Sequence, residues 1–260
     1  MTAALQPLWP FAAFSLLVML LVWALQLRTR NAGYVDVAWA LMLGCAALYF
    51  GWAGHGDSYA RTLIAVMGGL WGFRLGLHLC ARVLHEPEDG RYAFLRVHWG
   101  GDQRKFLAFF IFQAVLTVLF ALPFLAVAQN PRPPGTAAVV IAAVFWLSSW
   151  LGESIADRQL ARFRADVRNR GKTCRDGLWR YSRHPNYFFE WLHWFAYVIL
   201  AFGSPLFWFS VAGPILMFVS LRYVTGVPYV EAQSLRSRGD DYRDYQRSTN
   251  AFFPWWPRKH

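Results

Sequence analysis

Apolar runs and short polar loops alternate along the 260-residue chain with a spacing that suits neither an alternating strand nor a soluble amphipathic helix. The runs fall at about 9–27, 34–54, 60–84, 106–128, 136–152, 187–203 and 205–225, and each approaches the roughly 20 residues that cross a bilayer as helix. Only Gly203-Ser204-Pro205 separates the last two. A helix starting near Thr136 meets no breaker until about Asp166. Some 30 residues make about 45 Å against a hydrocarbon core of roughly 30 Å, so its end should project beyond the membrane. That projecting end carries Glu153, Asp157, Arg158, Arg162 and Arg164. The expectation is an all-α integral membrane protein: one transmembrane domain over 1–260, a seven-transmembrane-helix bundle.

Composition agrees, at 56% hydrophobic and 18% aromatic residues. The net charge of +11 would suit nucleic acid, but its distribution argues against that partner. Arg28 and Arg30, Arg82 to Lys105, Arg158 to Arg183 and the C-terminal tail all fall on one side, while the other side holds Arg61 and Arg132. This is the positive-inside bias, which predicts a multi-pass membrane protein with an outside N-terminus and a cytoplasmic C-terminus. Nothing basic precedes the first run and no small-residue cleavage site follows it, so it is expected to be retained. Cys45, Cys80 and Cys174 give neither a disulfide framework nor zinc spacing, and no metal site is expected.

Candidate chemistry concentrates in Asp176–Glu190, DGLWRYSRHPNYFFE. Pro185 suits a first helical position and pushes His184 towards extended backbone, so a helix should begin there. Asn186, Glu190, His193 and Tyr197 then share one face, and a polar stripe in a membrane helix should face the bundle interior or a cavity. Two further features stand out. Asp36 lies just inside the second run, where a carboxylate needs a partner: Arg74 or Arg82 would make an ion pair, and the other reading is an active-site acid. Tyr92 follows the turn-rich His85-Glu-Pro-Glu-Asp-Gly-Arg segment, read as a loop at the cytoplasmic mouth. Gly171-Lys-Thr173 is not a phosphate loop, because Asp166 stands where its glycine should be, and no G-x-G-x-x-G occurs.

D-G-L-W-R-Y-S-R-H-P-N-Y-F-x-E-W, preceded by W-L-G-E-S-I-A-D-R-Q and followed by Y-x-x-Y before a Pro-Trp end, resembles the steroid 5-alpha-reductase family. The likeness is closer to that family's functionally uncharacterised bacterial branch, which N-A-G-Y-V-D-V-A-W also fits. The R-H-P-x-Y part is shared with S-adenosylmethionine-dependent isoprenylcysteine and phospholipid methyltransferases of the same superfamily. The resemblance implies NADPH bound from the cytoplasmic side, by a reductase-like half at 129–260, and a lipid substrate entering from the bilayer on the helices of 1–128. It implies that Asn186 and Arg222 hold the nicotinamide end, with Glu190 on its carboxamide, and that Glu153, Asp157, Arg164 and Lys172 hold ribose and phosphates. Arg180, Tyr181, Arg183, His184 and Tyr229 complete the implied cofactor set. The family's carbonyl-orienting Gln-Glu pair is missing; Asp36 and Tyr92 are the nearest substitutes, and with Glu190 they form the expected catalytic set. The function expected is an NADPH-dependent enone reductase. The alternatives are a membrane methyltransferase and a non-enzymatic lipid-binding or transport protein.

Overall fold

A computed structural model describes residues 3–258, and among them there is no strand. The helices are α1 (Leu8–Thr29), α2 (Tyr34–Ala53), α3 (Ser58–His85), α4 (Gly90–His98), α5 (Gln103–Ala128), α6 (Thr136–Ala165) and α7 (Pro185–Leu200). After them come α8 (Phe207–Ser210), α9 (Ala212–Val219), a π-helical turn (Ser220–Val224), α10 (Val227–Arg238) and α11 (Asp240–Ser248). Among the described residues, 6 helical segments are long and apolar enough to cross a membrane, the last spanning Phe207–Arg238. The helix that the sixth apolar run predicts does start at Pro185, but it has 16 residues, about 24 Å, short of a full crossing. The protein is thus an all-helical chain with several membrane-spanning candidates.

The chain divides into two compact units. One is formed by residues up to Ala138 with Tyr197–Gly213, the other by Val139–Ala196 with residues from Pro214 onward.

In the first unit, α2 and α3 cross at backbone distance. Gly68, Gly72 and Gly76 form a small-residue stripe at i, i+4 and i+8 on α3. A Cβ at Gly72 would stand 2.5 Å from the backbone nitrogen of Gly44, and one at Gly68 would stand 2.5 Å from Ala47 Cβ. Between membrane helices, where lipid tails are as apolar as leucine, such close approach supplies the dispersion contact that holds the pair. At one end the loop after α2 is stitched to the end of α5 by Gly56 N–H to Ala128 C=O (2.8 Å) and Asp57 N–H to Asn130 C=O (2.7 Å). Asn130 in turn donates to the carbonyls of Leu200 and Phe202 at 3.2 and 3.1 Å. Trp9, Trp52, Tyr59, Phe202 and Trp208 are exposed around this end, the position of an interfacial aromatic belt.

In the second unit, α6 and α7 meet where Gly152 faces Phe189; a Cβ there would lie 2.5 Å from the ring. Trp191 of α7 donates to the Pro214 carbonyl at 3.0 Å and packs with Phe188, Phe218 and Phe252. The Asp-Gly-Leu-Trp segment folds back on α6: Trp179 Nε1 donates to Ala156 C=O (2.9 Å) and Leu178 N–H to Gln159 Oε1 (2.9 Å). Gly177 is left-handed at φ 59° and lies against Gln159, so neither the turn nor the space admits a side chain.

Two expectations change. The segment read as a loop contains α4, because the Asp89 carboxylate caps its first turn and Tyr92 buries to 4% exposure. The final apolar run is no single helix either: it is divided into α8, α9 and a π-helical turn that carries Arg222.

Candidate functional sites in the two units

In the first unit, polar side chains converge at the end opposite the aromatic belt. Tyr92 Oη donates to Asp36 Oδ1 at 2.6 Å, and an Arg91 Nη donates to Asp36 Oδ2 at 2.8 Å. The ion pair expected for Asp36 is therefore made with Arg91, rather than with Arg74 or Arg82. Arg82 instead reaches Asp89 and, at 3.6 Å, Glu86. Asp89 also accepts from Arg91 Nε at 3.0 Å, so one guanidinium spans two carboxylates. Beside this, Glu88 accepts from Ala32 N–H and from Arg96, both at 2.7 Å, fastening α4 to the α1–α2 turn. The two catalytic candidates Asp36 and Tyr92 are thus brought into direct contact, with Tyr92 packed in an apolar cluster of Met19, Val35, Met42, Phe106 and Phe110. Burial, with the Asp36 charge beside it, holds the Tyr92 phenol well above its ordinary range.

In the second unit, Glu153, Asp157, Leu160 and Arg164 fall at i, i+4, i+7 and i+11, on one face of α6. At the start of that face Glu153 is buried at 5% exposure, and one turn on the Asn186 amide donates to Asp157 Oδ1 at 3.3 Å. With its N–H group so engaged, the Asn186 carbonyl oxygen is buried and has no protein donor. Glu190 lies one turn on from Asn186 in α7, half-buried, while His193 and Tyr197 are 2% and 0% exposed, so the polar stripe runs inward as expected. About 16 Å along the same face from Glu153, Arg164 enters a cleft of about 270 Å³ with Arg170, Lys172 and Arg238. No carboxylate lines it. Gly171, left-handed at φ 80°, turns the chain between Arg170 and Lys172. The far side of that loop is fixed to α11, where Asp241 accepts from Thr173 N–H (2.7 Å) and Arg175 (2.9 Å).

Other implied cofactor ligands are engaged elsewhere. Arg183 Nε donates to Glu231 at 2.7 Å, and its Nη reaches the carbonyls of Gln246, at 3.1 Å, and Thr249. His184 lies 3.3 Å from the same carboxylate, which also accepts from Gln246 at 2.7 Å. Ser182 Oγ donates to Phe252 C=O at 2.8 Å, and Trp255 N–H to Tyr181 C=O at 2.9 Å. Tyr245, from the Y-x-x-Y pair, donates to the Trp179 carbonyl, and the Ser182 carbonyl lies 3.1 Å from the same hydroxyl. The Arg-Tyr-Ser-Arg-His segment is accordingly clamped by the C-terminal tail. Arg180 is exposed in the preceding turn, outside the cleft lining, and the Arg222 guanidinium rests over Tyr223 at 5.1 Å. Tyr229 is half-buried in α10. Sequence reading missed Arg91, Arg170 and Arg238; the last two gain meaning only when the α6–α7 loop meets the end of α10.

Burial lowers the His184 imidazole below its ordinary value of 6.5, and the bond to Glu231 restores only part of the loss. An unfolded chain then takes up this proton before the folded one does. The stability gained is complete above about pH 6.5 and is lost as pH falls below it. Thermal melts should therefore fall between about pH 7.5 and pH 5, with a shallower slope in His184→Gln.

Comparison with known proteins places these features in a family. The chain is 27% identical to an uncharacterised protein of the fission yeast Schizosaccharomyces pombe, over 94% of this chain and 80% of the other. No solved structure matches. The family model described as "Protein of unknown function (DUF1295)" matches residues 22–249, nearly the whole chain, so the protein belongs to DUF1295, a family that includes steroid 5-alpha-reductase-like members.

Proposed function

We propose that this protein is a membrane-embedded, NADPH-dependent reductase of an activated C=C bond of enone type, acting on a lipid or sterol-like substrate drawn from the bilayer. The orientation that goes with it is an outside N-terminus and a cytoplasmic C-terminus in a bacterial inner membrane, with α7 completing seven crossings. The observation that carries the reading is the order of groups along one face of α6. Hydrogen-bond acceptors come first, at Glu153 and Asp157 with Asn186 of α7 against them, and a cation-lined cleft follows about 16 Å beyond Glu153. A dinucleotide matches that order, with ribose hydroxyls and a carboxamide N–H group at one end and phosphates at the other.

The residues present fit such a group. The buried Asn186 carbonyl oxygen can accept a further donor, and Arg164, Arg170, Lys172 and Arg238 line the cleft with positive charge that suits phosphates. Asn186, Glu190 and Arg222 would hold the nicotinamide end, Glu153 and Asp157 the ribose, and the cleft the phosphates. NADPH, when bound, supplies the hydride. The chain's own task is to orient the substrate and to offer a donor where negative charge grows on its carbonyl oxygen, a role for which Tyr92 and Asp36 are proposed. A methyltransferase reading leaves the cleft unexplained, because S-adenosylmethionine carries no phosphate. A lipid-binding or transport protein would need neither cofactor.

Arg164→Ala tests the phosphate assignment. NADPH binding should weaken about tenfold or more, and NADH binding less. Equal weakening of both would place Arg164 on the diphosphate that the two share, and no weakening of either would leave it with only a topological role on the basic side of the membrane.

A further inference from the structure

We infer that Arg91 is the positioning residue of the Tyr92–Asp36 pair, the cation that lets the tyrosine exchange its hydrogen bond with a ligand. The inference rests on the reading of Tyr92 and Asp36 as the substrate-orienting pair. Both oxygens of Asp36 are engaged, Oδ1 by the Tyr92 hydroxyl at 2.6 Å and Oδ2 by Arg91 at 2.8 Å. A phenol has one proton to donate. A carbonyl ligand that accepts from Tyr92 must therefore take the bond that Asp36 now holds. Removing the only strong donor to a partly buried carboxylate is costly. Asp36, with 28% of its side chain exposed, escapes that cost because the guanidinium stays on Oδ2.

The guanidinium is itself anchored. Its Nε donates to Asp89 at 3.0 Å, and Asp89 is fixed in turn by Arg82 and by its capping bond to the Arg91 N–H at 2.9 Å. Two carboxylates from different parts of the chain are spanned by one planar fork, a geometry that lysine cannot reproduce with a single ammonium. Arg91 also lies 5.2 Å from the Tyr92 ring centroid, so it faces both members of the pair. Nothing in the sequence pattern singled out this arginine, and its neighbours Asp89 and Arg82 acquire a shared purpose through it.

The test is the resonance of Tyr92 in protein carrying ¹³Cζ-labelled tyrosine, assigned by its loss in Tyr92→Phe. Asp36→Asn removes the carboxylate acceptor and should shift the resonance. Arg91→Lys keeps the charge but loses the fork, and should shift it in the same direction by at least half as much. Asp89→Asn still caps α4 but weakens the anchor on Arg91; it keeps the main-chain carbonyl that holds the Tyr92 N–H, changes no side-chain hydrogen bond to Tyr92, and should nevertheless move the signal. This variant decides the matter if Arg91→Lys does not fold. A resonance that moves in Asp36→Asn and stays put in Arg91→Lys and Asp89→Asn overturns the proposal, reducing Arg91 to a neutralising charge. One unmoved even in Asp36→Asn overturns it too, since the pair would then not form. NADPH binding by the wild-type protein is measured beside these spectra. Its absence would sink the reductase reading while leaving the Tyr92 coupling intact, so the two failures are told apart.

Discussion

Replacing Glu231 with alanine should lower the melting temperature of the purified protein by roughly 6–12 °C. The carboxylate accepts from Arg183 at 2.7 Å, His184 at 3.3 Å and Gln246 at 2.7 Å, and the Arg183 and Glu231 side chains are only 11% and 14% exposed. Removing one member of a buried pair leaves the other charge uncompensated, at a cost of about 3–5 kcal/mol. Arg183 keeps two backbone carbonyl acceptors, so the lower end, about 3 kcal/mol, is expected. In a domain of this size that loss corresponds to about 2–4 °C per kcal/mol. Arg183→Met on top of Glu231→Ala should recover part of it, because the orphaned cation is then gone. A melt of Glu231→Ala within 2 °C of wild type would show that the tail clamp contributes little. The consequence reaches function: Asn186, the residue with the unsatisfied buried carbonyl, follows directly on the segment this clamp holds.

The second large effect concerns the cleft. Lys172→Glu combined with Arg238→Glu reverses two of its four cations and places carboxylates where phosphates are proposed to sit. A charge-assisted hydrogen bond is worth about 1.5–3 kcal/mol, so losing two should weaken NADPH binding by a factor on the order of 100–1,000 or more. The fold should survive, because Lys172 is exposed and the loop's anchor is Asp241, which the variant leaves in place. Titration of NADPH by intrinsic tryptophan fluorescence measures the effect. Unchanged affinity would remove the phosphates from this cleft.

The long α6 and the start of α7 at Pro185 were legible in the sequence because both rest on local rules: an unbroken run of helix formers, and a residue that cannot donate. Farther on, Gly239 separates α10 from α11 with a left-handed φ of 54°. What the sequence hid depends on partners far along the chain. Asp36 meets Tyr92 and Arg91 at separations of 56 and 55 residues, and no periodicity announces which cation a carboxylate will choose. Helix α4 is nine residues in a segment rich in turn formers; its Asp89 cap and the burial of Tyr92 outweigh local propensity. The glycine stripe on α3 was present in the letters as Gly68-x-x-x-Gly72-x-x-x-Gly76. Its meaning lies in Gly44 and Ala47 across the interface, which a reading of single runs does not pair with it. Arg183 shows the same dependence on distant partners. It stands in the motif and on the basic side, so it reads as a cofactor ligand, while the fold engages its Nε with Glu231 and one Nη with two tail carbonyls.

Ligand-dependent melting of the purified, full-length protein tests the central claim most directly, with NADPH, NADH and S-adenosylmethionine added separately at saturating concentration. A ligand that binds the folded state alone contributes about 2.7 kcal/mol at 100 times its Kd, enough to raise the melting temperature by several degrees. NADPH should raise it, NADH should raise it less, and S-adenosylmethionine should leave it unchanged. A rise with S-adenosylmethionine and none with NADPH would contradict the reductase account.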